Sequence, residues 1–209
     1  MTEAPGLCSQ LHEVIRTLPS YQFGTLPSDL PTDGVYFCFE VGELGHAAQR
    51  VTRIGSHTGK GNLAARLREH VTVNKDRSIF RKHIGRAILS RNRDPFLADW
   101  NIDLTTKRAR NKHAHRIDMT KQRSIEDEVS DYLQSSISFS VLSMANSVEA
   151  IAFETAAIGT VSNCGHCMAG SEWLGLHSPN VKISRSGLWQ IRGLWGTELT
   201  QQQLRMLNA

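Results

Sequence analysis

The feature that most constrains the fold is a run of apolar and aromatic residues that begins at Gly34. Residues 34 to 41 are Gly-Val-Tyr-Phe-Cys-Phe-Glu-Val, a composition typical of a strand buried on both faces. Gly42 and Gly45 then favour a turn, and residues 50 to 54, Arg-Val-Thr-Arg-Ile, have the pattern of a returning strand. The sequence therefore predicts a β-hairpin here.

Helices and one more strand are predicted after the hairpin. Leu63, Leu67 and Val71 recur every fourth residue, as in a helix that packs one face on a sheet. A second helix is predicted over residues 78 to 91, a third from Ser124, and residues 138 to 144 alternate as in a strand. The last long helix is predicted over residues 147 to 161, and its core-facing residues are expected to be Ile151, Ala152, Thr155 and Ile158.

These elements predict an α/β (α+β) fold, with a small, mainly antiparallel three-stranded sheet flanked by helices. At 209 residues the chain is long enough for one well-cored domain with embellishments. We expect an N-terminal extension over residues 1–30, the main domain over 31–195 and a C-terminal helix within 196–209. Residues 101–123 lack periodicity and are predicted to form an insertion loop.

The predicted insertion is rich in positive charge. The net charge of the chain is +4, and lysines and arginines cluster between residues 107 and 123. Clustered cations bind polyanions by releasing phosphate counterions, which favours a nucleic-acid partner, although a solvated basic loop is an alternative interpretation. The candidate nucleic-acid-binding residues of this cluster are Lys107, Arg108, Arg110, Lys112 and Arg116.

Polar residues also occupy particular places on the predicted elements. Tyr36 and Arg53 lie within the hairpin strands, and Arg66 and His70 lie four residues apart on one helix. Glu154 lies in a helix otherwise rich in Ala, Ile and Phe. A buried carboxylate without a partner is strongly unfavourable, so Glu154 should meet a metal, a cation or the solvent of a cleft.

In this order, the residues resemble the signatures of the GIY-YIG nuclease family. The first signature is similar to Gly34-Val35-Tyr36, and the second to Arg53-Ile54-Gly55. The family's helical Arg and His match Arg66 and His70, and its late glutamate matches Glu154. Residues 78–85, 173–175 and 186–189 resemble a largely uncharacterised bacterial subgroup, so that the resemblance covers roughly residues 30 to 195.

The resemblance implies single-metal hydrolysis of phosphodiester bonds in DNA. Glu154 would hold Mg²⁺ or Mn²⁺, because hard cations prefer oxygen ligands. Tyr36 would assist deprotonation of the attacking water, with a cation and an arginine favouring its phenolate. Arg66 would clamp the scissile phosphate, and His70 would bind phosphate or relay a proton. One such site cuts one strand per event, so a homodimer that cuts both strands is conceivable.

The sequence departs from the family's pattern at Arg53, where the second signature usually begins with tyrosine. A cation there can orient phosphate. If Arg53 instead forms a salt bridge with Glu154, the metal is excluded and the protein is a catalytically silent nucleic-acid-binding module.

Two further motifs have competing interpretations. Residues 55–61, Gly-Ser-His-Thr-Gly-Lys-Gly, lack the Walker spacing, but a backbone nest with Lys60 could still contact substrate phosphate. Cys164-Gly-His-Cys167 matches a redox CxxC motif, which makes a thiol-redox protein the second alternative. As half of a zinc site it lacks a second ligand pair nearby, although His166 or His177 could contribute, and two incidental cysteines in a loop are the simplest interpretation.

The compartment is predicted from what the sequence lacks. The first residues, Met-Thr-Glu-Ala-Pro-Gly, do not resemble a secretory signal, and no run of apolar residues is long enough for a membrane span. Four cysteines are too few for a disulfide scaffold in a chain of this size. We therefore expect a cytoplasmic protein with no membrane partner.

Overall fold

The structure is a computed structural model that describes residues 6–207. Within these residues it has four strands, β1 (Ser20–Gln22), β2 (Gly34–Gly45), β3 (Ala48–Gly55) and β4 (Ile137–Ser143). The α-helices are α1 (Leu7–Arg16), α2 (Leu63–Val71), α3 (Ile79–Arg91), α4 (Leu97–Trp100), α5 (Lys107–His113), α6 (Met119–Ser136), α7 (Ser147–Ser162), α8 (Val181–Ser186) and α9 (Gln201–Met206). Short 3₁₀ turns are Ala114–Arg116, Gly165–Cys167 and Leu174–His177.

The strands form one antiparallel sheet in the order β1-β4-β2-β3. The predicted α+β class and antiparallel sheet are confirmed, but the sheet has four strands rather than three. The additional strand, β1, lies in the predicted N-terminal extension and pairs Tyr21 with Phe139. A strand of three residues is too short to show an alternating pattern, so no feature of the sequence indicated it.

The predicted hairpin is β2 and β3, and it forms the centre and one edge of the sheet. β2 is buried from Gly34 to Glu40, as its composition indicates. Tyr36 and Cys38 point into a core formed with α2, α3 and α6, whereas Val35 and Phe37 point into a second core on the opposite face. That second core includes residues of α1, α7 and α9, so the N-terminal helix is packed against the body of the domain.

The orientation of α7 differs from the prediction. Of the predicted core residues, Ile158 is buried, together with Ala150, Phe153, Ala157 and Val161, whereas Ile151, Ala152 and Thr155 are exposed. The helix is apolar around most of its circumference, so hydrophobic periodicity could not identify the side that faces the sheet. As a result, the side predicted to be core is the side that carries Glu154 along a cleft.

The predicted loop over residues 101–123 is largely helical. It contains α5, the turn Ala114–Arg116 and the first residues of α6, which begins at Met119 rather than near Ser124. Asp118 caps α6 by accepting a hydrogen bond from the backbone N–H of Lys121. No residue of α5 is buried, so its sequence carries no apolar stripe and the helix was missed.

Buried polar contacts fix the C-terminal segment against the hairpin. The carboxylate of Glu40 on β2 accepts hydrogen bonds from the indole N–H groups of Trp173 and Trp189, at 3.0 and 2.9 Å. Arg50 on β3 forms a buried ion pair with Glu43 and donates a hydrogen bond to the carbonyl of Gly187. These contacts hold residues 187–190 beside β3, next to the cleft described below.

Among the helices described between residues 6 and 207, none has both the length and the apolar character needed to span a membrane.

Candidate active site

A cleft of about 980 Å³ lies between the end of β3, α2, α3 and α7, with residues 190–193 along one side. The side chains of chemical interest that line it are Arg53, Ser56, His57, Arg66, His83 and Glu154. Of the five predicted catalytic residues, Arg53, Arg66 and Glu154 line the cleft. Tyr36 and His70 are fully buried beside it, in contact with each other.

Tyr36 is the first member of a chain of hydrogen bonds. Its hydroxyl lies 2.8 Å from Nε2 of His70, and Nδ1 of His70 lies 2.7 Å from the hydroxyl of Ser78. Burial lowers the pKa of His70 well below its ordinary value, and the charges of Arg53, Arg66 and Arg81 act in the same direction. His70 is therefore neutral at physiological pH. In one tautomer Nε2 of His70 accepts a hydrogen bond from the Tyr36 hydroxyl, and in the other Nε2 donates a hydrogen bond to the Tyr36 phenolate.

Arg66 connects this buried pair with the cleft. Its guanidinium forms an ion pair with Glu69 at 2.7 Å and interacts with Tyr36. Burial is the largest influence on the pKa of Arg66 and acts to lower it, but Tyr36 and Glu69 together outweigh burial, so the pKa is raised. Arg66 is a permanent cation between Tyr36 and the solvent, where an anionic group could bind.

The two signature glycines make room for these side chains. In the sheet register Gly55 lies directly opposite Tyr36, and a Cβ at Gly55 would overlap the Tyr36 hydroxyl oxygen. A Cβ at Gly34 would stand 2.5 Å from the carbonyl oxygen of Leu142 on β4. Both positions require glycine because neighbouring atoms occupy the space of a side chain.

Arg53, which stands where the family's second signature has tyrosine, is held by structural contacts. It donates from Nη1 to the carbonyl of Trp189 at 2.6 Å, and its guanidinium lies 4.8 Å from the ring centre of Phe80. Its buried Nε has no hydrogen-bond partner within residues 6–207. Arg53 thus brings an incompletely satisfied cation to the wall of the cleft.

Glu154 lines the same cleft as Arg53, from α7, but forms no ion pair with it. The Glu154 carboxylate accepts a hydrogen bond from the hydroxyl of Ser56, at the end of β3. Across the described part of the chain, no lysine, arginine or histidine forms an ion pair with Glu154. The salt bridge to Arg53 that would exclude a metal is therefore not present in this structure.

Sequence reasoning assigned no role to His83, which also lines the cleft. Burial, with the charges of Arg86, Arg53 and Lys82, lowers the pKa of His83 to about 3. Its Nδ1 lies 3.2 Å from Nη1 of Arg86, and its buried Nε2 has no partner among the described residues. Because Arg86 can only donate, Nε2 carries the proton and is a free donor. The sequence feature that could have identified His83 is its position within residues 78–85, which resemble the bacterial subgroup.

The predicted nucleic-acid-binding residues do not line the cleft. Lys60 is exposed in the loop between β3 and α2, flanked by Thr58 and Asn62, which do line it. The cations of α5 and the following turn lie on a separate exposed surface, and Arg110 is bonded to the carbonyls of Leu104 and Thr105. The role of these cations in binding nucleic acid therefore stays a prediction, and it concerns a surface other than the cleft.

The cysteines lie outside the cleft, and all four are free thiols. Cys38 pairs with Arg53 across the hairpin but faces the core, and burial raises the pKa of Cys38 to about 12. It is therefore a neutral, inert thiol.

Of the comparisons with known proteins, one found a match. A family model described as a GIY-YIG domain matches residues 7–209. Searches of curated proteins and of solved structures found no match.

Proposed function

Because the chain belongs to the GIY-YIG domain family, whose members are typically endonucleases, we propose that it is a metal-dependent endonuclease that hydrolyses phosphodiester bonds in DNA. The observation that carries the proposal is a cleft with arginines on two walls and, on another, a carboxylate that pairs with no cation of the described residues. Glu154 stands on α7, while Arg53 and Arg66 come from β3 and α2. Such a site accepts a cation and a phosphate side by side.

The residues around Glu154 fit a hard divalent cation, Mg²⁺ or Mn²⁺. The carboxylate is only partly buried, has no cationic partner among the described residues, and lies beside the hydroxyl of Ser56. One carboxylate with hydroxyl neighbours suits a cation that retains several waters. When bound, the cation would supply Lewis-acid stabilisation of charge on the phosphate oxygens and lower the pKa of a bound water.

The residues of the chain itself have separate roles in binding phosphate and moving protons. Arg66 offers its guanidinium fork to the scissile phosphate and stabilises the added negative charge of the transition state. Tyr36 receives the proton of the attacking water as its phenolate, with Arg66 stabilising the phenolate. Neutral His70 donates a hydrogen bond from Nε2 to the Tyr36 phenolate while its Nδ1 accepts one from the hydroxyl of Ser78. Arg53, with its unpartnered Nε, positions a second phosphate oxygen.

The alternative is a silent nucleic-acid-binding module. It rested on a salt bridge between Arg53 and Glu154, and within residues 6–207 Glu154 forms no ion pair. The full burial of Tyr36 is the observation that favours silence, because water must reach its hydroxyl for catalysis. Cleavage and binding must therefore be measured on the same substrate.

The proposal is tested by nicking of supercoiled plasmid DNA in the presence of Mg²⁺. Wild type should nick, and Glu154→Gln should be slower by at least about 100-fold, because loss of one charge-stabilising group commonly costs that much. Glu149→Gln is the matched control, since it removes the same charge from an exposed position of the same helix. Equal rates for Glu154→Gln and wild type would refute the mechanism.

A further inference from the structure

A cluster of thiols and imidazoles lies at the end of the molecule away from the cleft. Cys8, His46, Cys164 and Cys167 each place one ligand atom so that all four atoms lie within 4.8 Å of one another. The Sγ atoms of Cys8 and Cys167 are 3.6 Å apart, and Sγ of Cys164 is 3.3 Å from Nε2 of His46. None of these residues takes part in the proposed nuclease site.

The separations of 3.6 and 3.3 Å are close to those of a tetrahedral zinc centre, and the limit of 4.8 Å for the whole set requires only a small contraction around an ion. With Zn–S bonds of about 2.3 Å and Zn–N bonds of about 2.0 Å, neighbouring ligand atoms lie about 3.5 to 3.8 Å apart. We propose that Cys8, His46, Cys164 and Cys167 form a closed Cys₃His site that binds one structural zinc ion. The second ligand pair that the Cys164/Cys167 motif lacked is supplied by residues far away in the sequence, not by His166 or His177.

The four ligands come from three separate elements. Cys8 lies in the first turn of α1, His46 at the tip of the hairpin, and Cys164 and Cys167 in the turn that follows α7. Cysteines without a shared function have no reason to meet from three separate elements, so their proximity favours a common ligand. A bound ion would tie the N-terminal helix and the end of α7 to the hairpin.

The backbone at the hairpin tip supports the assignment. His46 and Ala47 form the two-residue connection between β2 and β3, and both have positive φ, 52° and 59°. Such tight turns favour Asn and Gly, because the Cβ of other residues is crowded in this region. The strained turn places the His46 imidazole against Cys164, as expected where a ligand offsets the strain.

His12 contacts two of the elements that carry the ligands and orients His46. The Nδ1 atom of His12 lies 2.9 Å from the carbonyl oxygen of Cys8. The Nε2 atom of His12 accepts a hydrogen bond from the backbone N–H of Val51 at 3.4 Å. Both nitrogens are engaged by the backbone, so His12 supports the site rather than ligating the ion. Its ring packs against that of His46, with centroids 4.9 Å apart, which fixes the imidazole.

The ligands also have a route to solvent. A cavity of about 370 Å³ is lined by Cys8, His46 and Cys164. His166 is exposed and its ring lies 5.7 Å from that of His46, so it is close to the ligand cluster without being part of it.

The donor atoms indicate which metal binds, and the distance from the cleft indicates that the metal is structural. Binding releases the three thiol protons and gives three thiolates and one imidazole around Zn²⁺, a donor set that suits zinc and not Mg²⁺. From His46 to Tyr36 the strand β2 spans on the order of 30 Å at about 3.3 Å per residue. An ion at that distance from the cleft stabilises the fold and does not take part in hydrolysis.

The test is the zinc content of the full chain, purified under reducing conditions from zinc-supplemented medium and measured by plasma mass spectrometry. Wild type should retain about one Zn²⁺ per chain, and Cys164→Ser should retain at least about tenfold less. The matched control is His166→Ala, which alters the same turn and should retain the ion. His46→Cys should also retain it, because four thiolates form an equally closed site.

Cobalt substitution keeps the proposal testable if Cys164→Ser fails to fold. Co²⁺ in wild type should give the intense visible absorption of a tetrahedral thiolate complex, with a changed spectrum in His46→Cys. Metal-free wild type with a weak octahedral Co²⁺ spectrum would overturn the proposal, as would zinc content unchanged by Cys164→Ser. A disulfide between Cys164 and Cys167 in freshly isolated protein would support the thiol-redox alternative instead. None of these outcomes bears on DNA cleavage, which Glu154→Gln tests separately.

Discussion

At the scale of single residues, the candidate catalytic groups owe their properties to the atoms packed around them. Tyr36 is buried, yet its hydroxyl has His70 at 2.8 Å and Arg66 beside it. Gly55 leaves just enough room for that hydroxyl. The spacing of Arg66 and His70 in the sequence predicted a shared helix face, but only the fold shows that His70 turns inward and Arg66 outward.

Gly55→Ala should displace Tyr36, because the new Cβ would overlap the tyrosine hydroxyl oxygen. We expect a loss of about 1 to 3 kcal/mol in the free energy of unfolding, as for other overpacked sites, and a loss of nicking activity of at least about tenfold. Urea denaturation and the plasmid assay measure the two effects. Gly24→Ala is the control, since no atom lies within 4 Å of the position that its new Cβ would take. Equal behaviour of the two variants would contradict the close packing.

His83 should make stability depend on pH. Its pKa of about 3 in the folded state is below the ordinary 6.5, so between these values the unfolded chain binds a proton that the folded chain does not. Stability therefore falls as pH drops below about 6.5. Between pH 7 and pH 5 wild type should lose about 2 kcal/mol more than His83→Gln.

Urea denaturation of both proteins at the two pH values measures this difference. Effects shared by the two proteins, including loss of any bound metal at low pH, cancel in the comparison. His177→Gln removes an exposed histidine and should follow wild type. A parallel pH dependence of His83→Gln and wild type would show that His83 titrates normally.

At the scale of secondary structure, prediction succeeded where composition or period is distinctive and failed where it is not. The strand β2 was predicted from its dense run of β-branched and aromatic residues, and α2 because its apolar residues recur every fourth residue. The face of α7 was assigned wrongly because Ile151 and Ile158 look alike in the sequence, although only Ile158 is buried. The helix α5 was missed for the opposite reason, since all its faces are polar.

The exposed cations of α5 should contribute to DNA binding through phosphate contacts. Replacing Lys107 and Arg108 by Gln should weaken binding at all sequences and reduce the salt dependence of the binding constant, by about 0.9 in the log-log slope for each lost contact. Fluorescence anisotropy with labelled duplex DNA over a range of salt concentrations measures the slope. Lys182→Gln with Arg205→Gln removes two exposed charges elsewhere and should leave it unchanged. If both double variants behave alike, α5 is only a solvated surface.

At the scale of the whole molecule, the sheet separates two cores and the two candidate sites lie at opposite ends of its central hairpin. Tyr36 and Gly55 mark one end, and His46 marks the other. The signature residues lie on elements whose types could be predicted, and the fold brings Arg53, Arg66 and Glu154 to one cleft while Tyr36 and His70 are buried beside it. The zinc ligands could not be anticipated as a set, since Cys8 and Cys164 meet only when α1 packs beside α7.

The central claim is that the cleft cuts DNA and does not only bind it. The most direct test compares binding and single-turnover nicking of one supercoiled plasmid by wild type and Tyr36→Phe in Mg²⁺. The variant keeps the ring that fills the core and loses only the hydroxyl bonded to His70. We predict equal binding within about twofold and a nicking rate lower by about 100-fold or more. Wild type that binds without nicking, or a Tyr36→Phe variant that nicks at the wild-type rate, would contradict the claim.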